Sequence, residues 1–363
     1  MYKSIERKDR PRFKALDLFA GCGGLTLGLR QSDFEVLGAV EFEKTAIEGY
    51  QANHPETRLY PLDIRDLPPE EAKRGLGLRK GGLDLLAGCP PCQGFSSMRT
   101  LNGGRRIQDE RNDLIFDFLK FAVALEPKTI IMENVPALAR DGRLQFVIGR
   151  LEEMGYRCKV GVLDAADFGV PQRRRRMLLI ASRLGRFDFP PHAGTKTTVR
   201  HAIGSLPPPG QSGDPLHDHP CSRAPHVMEM IRAIPKDGGS RSDLGEDRQL
   251  ACHRKCDGFK DIYGRMKWDD VAPTITSGCI NPSKGRFLHP EQDRAITLRE
   301  ASLLQGFTPD YVFPVERGRY PVAGLIGNAV PAAFVKHQVS VLTAQLGRYH
   351  DKRAARVRRS VAM

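Results

Sequence analysis

The sequence predicts an α/β fold: a doubly wound, mostly parallel sheet with a second, smaller and loop-rich domain. Short apolar segments alternate with amphipathic segments over the first half of the chain, and this alternation stops near Arg183. Glycine, proline and polar residues mark the ends of the apolar segments. Such a rhythm is typical of parallel strands that are covered by helices on both faces. With 363 residues and 40% hydrophobic content, the chain is long enough for two domains with a sizeable core.

Seven apolar segments are predicted as strands, because each is short and ends at a turn signal. They cover residues 14–19, 35–40, 58–62, 83–87, 128–132, 156–163 and 177–181. Helical periodicity between them predicts helices, among them 45–52, 114–125 and 144–154. The first domain is therefore expected to alternate strands and helices.

The segment from Pro190 to about Pro290 is rich in Pro, Gly, His, Asp and Ser and has no sustained period. Apolar residues within it, such as Ile231, Tyr263 and Trp268, predict a small packed domain rather than disorder. Regular patterning returns at 295–304 and at 332–346, and the latter predicts a helix. We expect a discontinuous first domain at residues 12–186 plus 320–347 and a small domain with its hinge at residues 187–319. Two basic tails are expected at residues 1–11 and 348–363.

The formal charge of +13 favours a polyanionic partner. Residues 1–14 carry six Lys and Arg against two acids, and residues 348–359 carry six against one. Nine of the thirteen excess positive charges therefore lie near the two chain ends. Such ends, which we expect to be mobile, either favour nonspecific contact with nucleic acid or only keep the protein soluble.

Targeting and membrane signals are missing from the sequence. No apolar segment reaches the length that spans a membrane, and the first residues lack the apolar region of a signal peptide. These observations predict a soluble, cytoplasmic protein. We therefore expect its eight cysteines to be reduced.

The first predicted strand leads into residues 17–24, Asp-Leu-Phe-Ala-Gly-Cys-Gly-Gly. Glycines at the start of a helix permit a tight turn and let a ligand approach the backbone. Glu41 ends the second strand about twenty residues later, where an acid can accept hydrogen bonds from a ribose. Asp63 and Ile64 end the third strand, where Asp63 could contact an adenine amino group. The pattern predicts a nucleoside site, although a dehydrogenase would show much the same turn.

Residues 88–96, Gly-Cys-Pro-Pro-Cys-Gln-Gly-Phe-Ser, follow the fourth predicted strand and turn at their two prolines. Ligands of open α/β sheets bind at such strand ends, so the thiol of Cys92 is predicted to lie near the chemistry. A free cysteine is otherwise most often a small buried hydrophobic residue, and we assign that role to Cys89.

Glu133 ends the fifth predicted strand and precedes a proline-marked turn, so we expect it to point into the same crevice as Cys92. A carboxyl group in such a crevice can serve as a proton donor. Residues 172–176, Gln-Arg-Arg-Arg-Arg, lead into the last predicted strand. Because side chains alternate along a strand, Arg174 and Arg176 share one face, where guanidinium groups suit a phosphate and a base edge.

These motifs occur in the order that the cytosine-5 DNA methyltransferase family shows, and the chain resembles that family. The resemblance rests on residues 19–24, 90–93, 133–135, 172–174 and 327–331. The sequences Thr-Leu-Arg-Glu at 297–300 and Leu-Gln-Gly-Phe at 304–307 are also similar to a segment that the family places before its last motif. Each motif is modest by itself, but together they cover nearly the whole chain outside the tails and the middle of the small domain.

The resemblance implies an enzyme with the Rossmann-like fold of the S-adenosylmethionine-dependent methyltransferases. Such an enzyme transfers a methyl group from S-adenosylmethionine to carbon 5 of cytosine in a specific double-stranded DNA sequence. Cys92 matches the family's nucleophile, which adds to carbon 6 of a flipped-out base, and Glu133 matches the residue that stabilises the adduct at ring nitrogen 3. Arg174 and Arg176 match the arginines that hold the cytosine and its phosphate.

The same resemblance implies further contacts. S-adenosylmethionine is expected to contact Phe19, Ala20, Gly21, Cys22, Gly23, Gly24, Leu25, Glu41, Phe42, Asp63, Ile64, Pro91, Leu114, Asn328 and Val330. A loop from residue 97 onward is expected to close over the DNA, with Met98 filling the space that the flipped base leaves. The small domain is expected to recognise the target sequence. The expected DNA contacts are Gln93, Ser96, Met98, Arg99, Arg105, Arg106, Arg265, Lys267, Thr274, Lys284 and Arg286.

The family's bacterial and phage members suggest a monomeric modification enzyme associated with the nucleoid, with or without a partner restriction endonuclease. Two alternatives share much of the pattern: a tRNA cytosine-5 methyltransferase and a DNA-binding paralogue without activity. The Cys-Phe-Thr tripeptide of the tRNA branch does not occur in the sequence, and inactive paralogues usually lose the catalytic cysteine or glutamate. A dehydrogenase leaves Cys92 and Glu133 without a role, and a thiol oxidoreductase has a shorter layout around its Cys-x-x-Cys.

One group of residues in the small domain has the types that bind zinc. Cys221, Cys252, His253 and Cys256 have a spacing that a zinc site tolerates. The family requires no metal, and small-domain cysteines more often pack, so we predict that the protein binds none.

Overall fold

A computed structural model of the protein describes residues 13–91, 113–219, 223–245 and 261–361. The strands are β1 (Phe13–Leu18), β2 (Phe34–Glu41), β3 (Arg58–Pro61), β4 (Leu85–Gly88), β5 (Thr129–Asn134), β6 (Arg157–Asp164) and β7 (Arg175–Ser182). They form one seven-stranded sheet in the order β3-β2-β1-β4-β5-β7-β6. All seven strands that the sequence predicts are present, with ends within two residues of the predicted ones.

The directions of the strands distinguish two sides of the sheet. Strands β1 to β5 are parallel to one another, whereas β7 is antiparallel to both β5 and β6. The chain winds outward in opposite directions from β1 and β4, and ligands of such sheets bind beside the carboxyl ends of the strands at this point. We call this side, at Leu18, Glu41, Gly88 and Asn134, the carboxyl edge. The opposite side, at Phe13, Leu85 and Thr129, is the amino edge.

Helices cover the sheet and build the smaller region. Within the described residues they are α1 (Gly24–Arg30), α2 (Lys44–Asn53), α3 (Pro69–Gly75), α4 (Leu114–Leu125), α5 (Gly142–Glu153), α6 (Val199–Ile203), α7 (Pro225–Ala233), α8 (Leu298–Gln305), α9 (Arg319–Asn328) and α10 (Ala332–Val361). Helix α8 begins at a capping box, because Thr297 and Glu300 each accept the other's backbone amide through the side chain. None of these helices is both long and apolar enough to cross a membrane.

Side-chain alternation along the strands produces an apolar core on each face of the sheet. One core combines alternate strand residues with α4 and α5, through Leu16, Leu86, Ile130, Phe118 and Val147. The other combines the intervening strand residues with α1 and α10, through Ala15, Leu85, Ile131, Leu29 and Phe334. A third core joins the small region to α8 and α9, and it includes Cys22 from the turn after β1.

The C-terminal basic segment differs from the expected mobile tail. Residues 348–361 continue helix α10, which is 30 residues long, and residues 351–360 are all exposed. The periodic apolar pattern ends near Leu346, and the last contacts of the helix with the domain are those of Tyr349 and His350. The pattern therefore predicted the packed part of the helix and not its solvent-exposed continuation, since a helix can extend without a packing face when its residues favour helix.

Candidate active site

The turn between β1 and α1 favours glycine at three positions, by backbone conformation or by close packing, and opens to space at one of them. Gly21 and Gly23 have φ of 57° and 95°. A Cβ on Gly23 would lie 2.4 Å from Nε2 of His54, and one on Gly24 would lie 2.6 Å from the carbonyl oxygen of Val330. A Cβ on Gly21 would meet no described atom within 4 Å. The turn is therefore packed closely on one side and accessible at Gly21, as a ligand-binding turn requires.

A histidine and a tyrosine support this turn from behind. Nε2 of His54 lies 3.1 Å from the hydroxyl of Tyr311 and 3.3 Å from the carbonyl of Gly23, and the Tyr311 hydroxyl donates to the carbonyl of Cys22 at 2.5 Å. Burial lowers the pKa of His54 to about 4, so its ring is neutral at pH 7. No motif reveals this support, because Tyr311 is 257 residues from His54.

Asp17 lies beneath the turn, near the end of β1, and is fully buried. The hydroxyl of Thr26 donates to its Oδ2 at 2.6 Å and lies 2.9 Å from the hydroxyl of Tyr50. Burial raises the pKa of Asp17 to about 7. Its Oδ1 is buried and makes no hydrogen bond to any described residue. Asp17 therefore couples the packing of the turn to pH.

Glu41 ends β2 with its carboxylate fixed beside the turn. Oε2 accepts the backbone amide of Gly21 at 2.8 Å, and Oε1 accepts those of Phe42 and Glu43 at 2.8 and 2.9 Å. Phe42 is 63% exposed, which is unusual for a large aromatic residue. A positioned carboxylate, an exposed ring and an open glycine turn thus share one surface, as the sequence predicts for a nucleoside site.

The residues at the end of β3 are already engaged. The carboxylate of Asp63 binds the guanidinium of Arg65 through contacts of 3.0 and 2.6 Å and also accepts the Arg65 amide. This hydrogen-bonded pair lowers the pKa of Asp63. Ile64 is buried. A nucleobase amino group at Asp63 would therefore have to share the carboxylate with Arg65.

The other expected cofactor contacts differ in exposure. Phe19 has a φ of 61°, a left-handed conformation that a non-glycine residue adopts only under strain, and such strain is common at functional turns. Asn328 is exposed at the end of α9. Five more residues have buried side chains and offer mainly their backbone: Ala20, Cys22, Leu25, Leu114 and Val330.

The turn after β4 is anchored to the end of β5. The side-chain amide of Asn134 donates to the carbonyl of Pro90 at 2.8 Å. The described chain reaches Pro91, and Cys92 follows it in the sequence. Cys89 packs against the core that includes α1 and α10, and burial followed by the charge of Glu133 raises the pKa of its thiol. Cys89 is therefore a protonated packing residue, as expected.

Glu133 and Arg176 form an ion pair that the sequence did not predict. Nε of Arg176 lies 2.9 Å from Oε1 of Glu133, and their side chains are 17% and 8% exposed. The two residues come from β5 and β7, which pair antiparallel so that Glu133 lies opposite Leu178. The contact lacks the direction of a hydrogen bond, and the buried Oε1 makes none within the described residues. This carboxylate is therefore held by charge while one oxygen keeps its hydrogen-bonding capacity.

Arg174 joins three segments of the chain. Its guanidinium donates to the carbonyls of Ile275, Gly327 and Ala329 at 2.9 to 3.0 Å. Burial, followed by repulsion from Arg176, lowers its pKa. The structure contradicts the expectation that Arg174 holds the cytosine and its phosphate, because Arg174 is 2% exposed and its guanidinium already donates to three protein carbonyls. Arg176, by contrast, forms an ion pair with Glu133.

Two of the small-domain arginines are structural. The prediction that Arg265 contacts DNA is wrong: its side chain has no exposed surface, and it donates to four backbone carbonyls and to Asp293. Arg286 donates to the carbonyls of Gly238, Gly239 and Arg265. A basic residue in a loop-rich sequence looks the same whether it binds DNA or supplies the missing backbone partners of loops.

The remaining DNA-contact predictions divide into three groups. Thr274 is partly buried and donates to the carbonyl of Arg173 at 2.6 Å. Lys267 and Lys284 are exposed. The other predicted DNA contacts lie outside the described residues: Gln93, Ser96, Met98, Arg99, Arg105 and Arg106. The predicted nucleophile Cys92 and the four possible zinc ligands, Cys221, Cys252, His253 and Cys256, also lie outside them. Within the described ranges no three His, Cys, Asp or Glu side chains are grouped as metal ligands.

Known proteins resemble this chain over most of its length. Residues 13–343 match the family model described as C-5 cytosine-specific DNA methylase. The Type II methylase M.HgiDII of Herpetosiphon aurantiacus is 34% identical over 358 residues, covering 94% of this chain and 98% of the relative. The Type II methyltransferase M1.HphI of Haemophilus parahaemolyticus is 33% identical over 324 residues, covering 87% and 82%.

Solved structures share the fold. A DNA modification methyltransferase encoded within a prophage of E. coli has a TM-score of 0.69 and 24% identity, covering 92% of this chain and 99% of its own. A mutant of Spodoptera frugiperda DNMT2 has a TM-score of 0.61 and 18% identity, covering 91% and 99%. At these identities the likeness concerns the fold alone. The match of the family model and the identity to the bacterial relatives show that the chain belongs to the C-5 cytosine-specific DNA methylase family.

Proposed function

We propose that this C-5 cytosine DNA methyltransferase uses S-adenosylmethionine and acts through a covalent adduct between Cys92 and a flipped-out cytosine. The observation that carries the proposal is the Glu133–Arg176 pair beside the strand end that leads to Cys92. Its buried carboxylate oxygen makes no hydrogen bond within the described residues, and it lies at the same edge as a nucleoside-type surface. A thiol, a carboxyl group and a nucleoside site at one edge suit addition chemistry on a pyrimidine ring.

The residues at this edge fit S-adenosylmethionine. Glu41 accepts three backbone amides and keeps carboxylate lone pairs that ribose hydroxyls can use. Gly21 leaves open space at the turn, and the exposed ring of Phe42 offers a surface on which a base can stack. When bound, the cofactor supplies an electrophilic methyl group. The chain's own residues bind and orient it, and Phe19, Asp63 and Asn328 complete the proposed contacts.

Cys92 and Glu133 activate the cytosine in this proposal. The Cys92 thiolate forms a bond to carbon 6, and the electron pair of the 5,6 double bond moves toward carbon 5 and the ring. In its acid form, Glu133 donates a hydrogen bond or a proton at ring nitrogen 3, which stabilises the charge that the ring gains. Carbon 5 then takes up the methyl group. Loss of its proton expels the thiolate, which restores both the double bond and the free cysteine.

Arg176 has a positioning role. Its guanidinium lies 2.9 Å from Glu133, so it fixes the carboxyl group at the end of β5 without taking its hydrogen-bonding capacity. A base in a duplex cannot reach this edge while it is stacked, so the target must be flipped out. We assign closure over the DNA to the loop after Cys92, with Met98 as the wedge, and phosphate contacts to Lys267 and Lys284.

The biological role follows from the relatives. Two of them are named as Type II enzymes, and the chain covers 98% and 82% of their lengths. We therefore assign the protein to restriction–modification, as a monomer whose residues 187–319 recognise the target. A cognate restriction endonuclease is the expected genetic partner.

Sequencing of bisulfite-treated DNA tests the proposed function. The full chain is expressed in a bacterial host without cytosine-5 methylation, and an empty vector serves as the control. We expect 5-methylcytosine at one recurring sequence context only in cells that contain the protein. Unmethylated DNA together with 5-methylcytosine in the host's tRNA would contradict the proposal and support the RNA alternative.

A further inference from the structure

The start of the described chain and the last part of helix α10 lie together at the amino edge of the sheet. Strand β1 begins at Phe13, whose ring centroid lies 5.7 Å from that of His350 on α10. Nε2 of His350 lies 2.8 Å from Oδ1 of Asp84, the residue before β4. The described chain therefore begins beside the point where the basic last part of α10 leaves the domain. The sequence alone puts them at opposite ends of the chain.

The exposed part of α10 carries an ordered stripe of positive charge. Arg348, Lys352, Arg356 and Arg359 are four, four and three residues apart. At about 100° per residue these positions fall within an arc of roughly 80°, and they extend over about 16 Å of helix axis. All four are exposed, and none forms an ion pair with any acid in the described part of the chain. Their charge therefore faces solvent along one line.

A row of cations along a rod is complementary to a nucleic-acid backbone. Each strand of a DNA duplex presents a phosphate about every 3.4 Å along its axis. Four cations over about 16 Å can thus follow one strand of phosphates without any base contact. The same segment carries a single acid, Asp351, which lies outside the stripe.

This stripe is separated from the proposed methylation site. Lys128, which precedes β5, lies 5.5 Å from the ring of Tyr349 where α10 leaves the domain. Glu133 is five residues further along the same strand, or about 17 Å away at the rise of an extended chain. Helix α10 then projects away from the domain on that amino-edge side. A short duplex held at the carboxyl edge therefore does not reach the stripe.

We propose that Arg348, Lys352, Arg356 and Arg359 form a second binding site for duplex nucleic acid, on the opposite side of the domain from the methyl-transfer site. The protein then holds one DNA segment at each edge. This arrangement raises the local concentration of further target sites on long DNA, because one segment stays bound while the other is exchanged. The inference goes beyond the proposed function and does not require methyl transfer.

Two double variants separate the stripe from the net charge. Arg356→Gln/Arg359→Gln removes two cations from the stripe, and Arg353→Gln/Arg358→Gln removes two cations beside it. Glutamine favours helix as arginine does, so the fold of α10 is preserved in both. The full-length proteins are first bound to an immobilised duplex and then offered a labelled duplex of unrelated sequence. Capture of the labelled duplex is measured as a function of salt concentration.

We expect the stripe variant to capture the second duplex about tenfold more weakly. The slope of the logarithm of its association constant against the logarithm of salt concentration should be smaller in magnitude by about 1.8, because two phosphate contacts are lost. The control variant should retain most of the capture, and both should methylate a short duplex as the unaltered protein does. Equal losses in the two variants, or no capture by the unaltered protein, would overturn the proposal. Failure of the proposed function would appear instead as absent methylation in all three proteins, with the stripe variant still capturing the second duplex more weakly than the control variant.

Discussion

Asp84 and Glu133 are two buried carboxylates at opposite ends of neighbouring strands. Asp84 precedes β4 at the amino edge, and Glu133 lies near the end of β5 at the carboxyl edge. Their side chains are 4% and 8% exposed. Burial is therefore similar, but the hydrogen bonds differ. The Oε1 atom of Glu133 is paired by charge with Arg176 and makes no hydrogen bond within the described residues.

Asp84 has a full set of partners. It accepts the backbone amide of Lys14 at 2.8 Å, pairs with Lys128 at 2.9 Å and contacts His350 at 2.8 Å. Burial by itself raises the pKa of Asp84, but these partners together lower it. Because both carboxylate oxygens of Asp84 already have partners, its role is structural. Among the described residues, Oε1 of Glu133 instead has only the charged contact with Arg176, an incomplete arrangement for a buried oxygen, and this difference marks the proposed functional edge.

Substitution of Glu133 should give the largest effect on activity. Glu133→Gln keeps the shape of the side chain but removes the acid, so we expect kcat for methyl transfer to fall by about 10²- to 10⁴-fold. The measurement is single-turnover methylation of a duplex that contains the target. Activity within about threefold of the unaltered protein would remove Glu133 from the proposed chemistry.

Substitution of Asp84 should give the largest effect on stability. Asp84→Asn leaves the buried Lys128 without its counter-charge, which costs about 3–5 kcal/mol of unfolding free energy. We expect kcat per folded molecule to be unchanged, because Asp84 is at the amino edge. Urea unfolding followed by circular dichroism, with Glu133→Gln as the matched control, measures the difference. A greater loss of stability in Glu133→Gln than in Asp84→Asn would reverse the comparison.

A third buried carboxylate extends the comparison to pH. Burial raises the pKa of Asp17 from 3.8 to about 7. Between these values the folded protein keeps a proton that the unfolded chain has lost, so the contribution of Asp17 to stability falls as pH rises and levels off above about 7. We therefore expect the stability of Asp17→Asn relative to the unaltered protein to increase by up to about 4 kcal/mol across this range.

Asp84 should show the opposite dependence on pH. Its folded pKa is lowered, so its contribution is present above the unfolded pKa and is lost as pH falls through the folded value. Urea unfolding of Asp17→Asn, Asp84→Asn and the unaltered protein between about pH 2 and pH 8 tests both directions, because the contribution of Asp84 changes near and below its unfolded pKa of 3.8. A pH-independent difference for Asp17→Asn would show that Asp17 does not change its protonation on folding.

The smallest effect is expected for Cys89. Its thiol packs against the core, and burial keeps it protonated by raising its pKa. Cys89→Ala removes one sulfur atom from this packing, so we expect methyl transfer to stay within about threefold and stability to fall by about 1 kcal/mol. Methylation kinetics and urea unfolding of the same preparation check both values. A loss comparable with that of Glu133→Gln would assign Cys89 a role in catalysis.

The sequence predicted what depends on local pattern. The strands and the extent of α4 follow from apolar periodicity, and the glycine turn and Glu41 follow from spacing along consecutive strands. The prediction of Cys89 as a packing residue agrees with its partly buried position against the core. These features need only the chain before and after them.

The sequence did not predict what depends on distant partners. The support of the first turn joins His54 to Tyr311, and Arg174 bonds to carbonyls 101 to 155 residues away. Arg265 was expected to contact DNA and is instead enclosed, donating to backbone carbonyls at the end of α7 and just after it. An arginine's identity does not reveal whether its donors meet phosphates or carbonyls, because both are oxygen acceptors.

The proposed chemistry depends most directly on Cys92, which follows the anchored turn at Pro90 and Pro91. Purified Cys92→Ala and Cys89→Ala proteins are incubated with target DNA and S-adenosylmethionine, and the nucleosides are analysed by mass spectrometry. We expect 5-methyldeoxycytidine from Cys89→Ala and from the unaltered protein, and none from Cys92→Ala. Formation of 5-methyldeoxycytidine by Cys92→Ala would contradict the proposal that this thiol activates the cytosine.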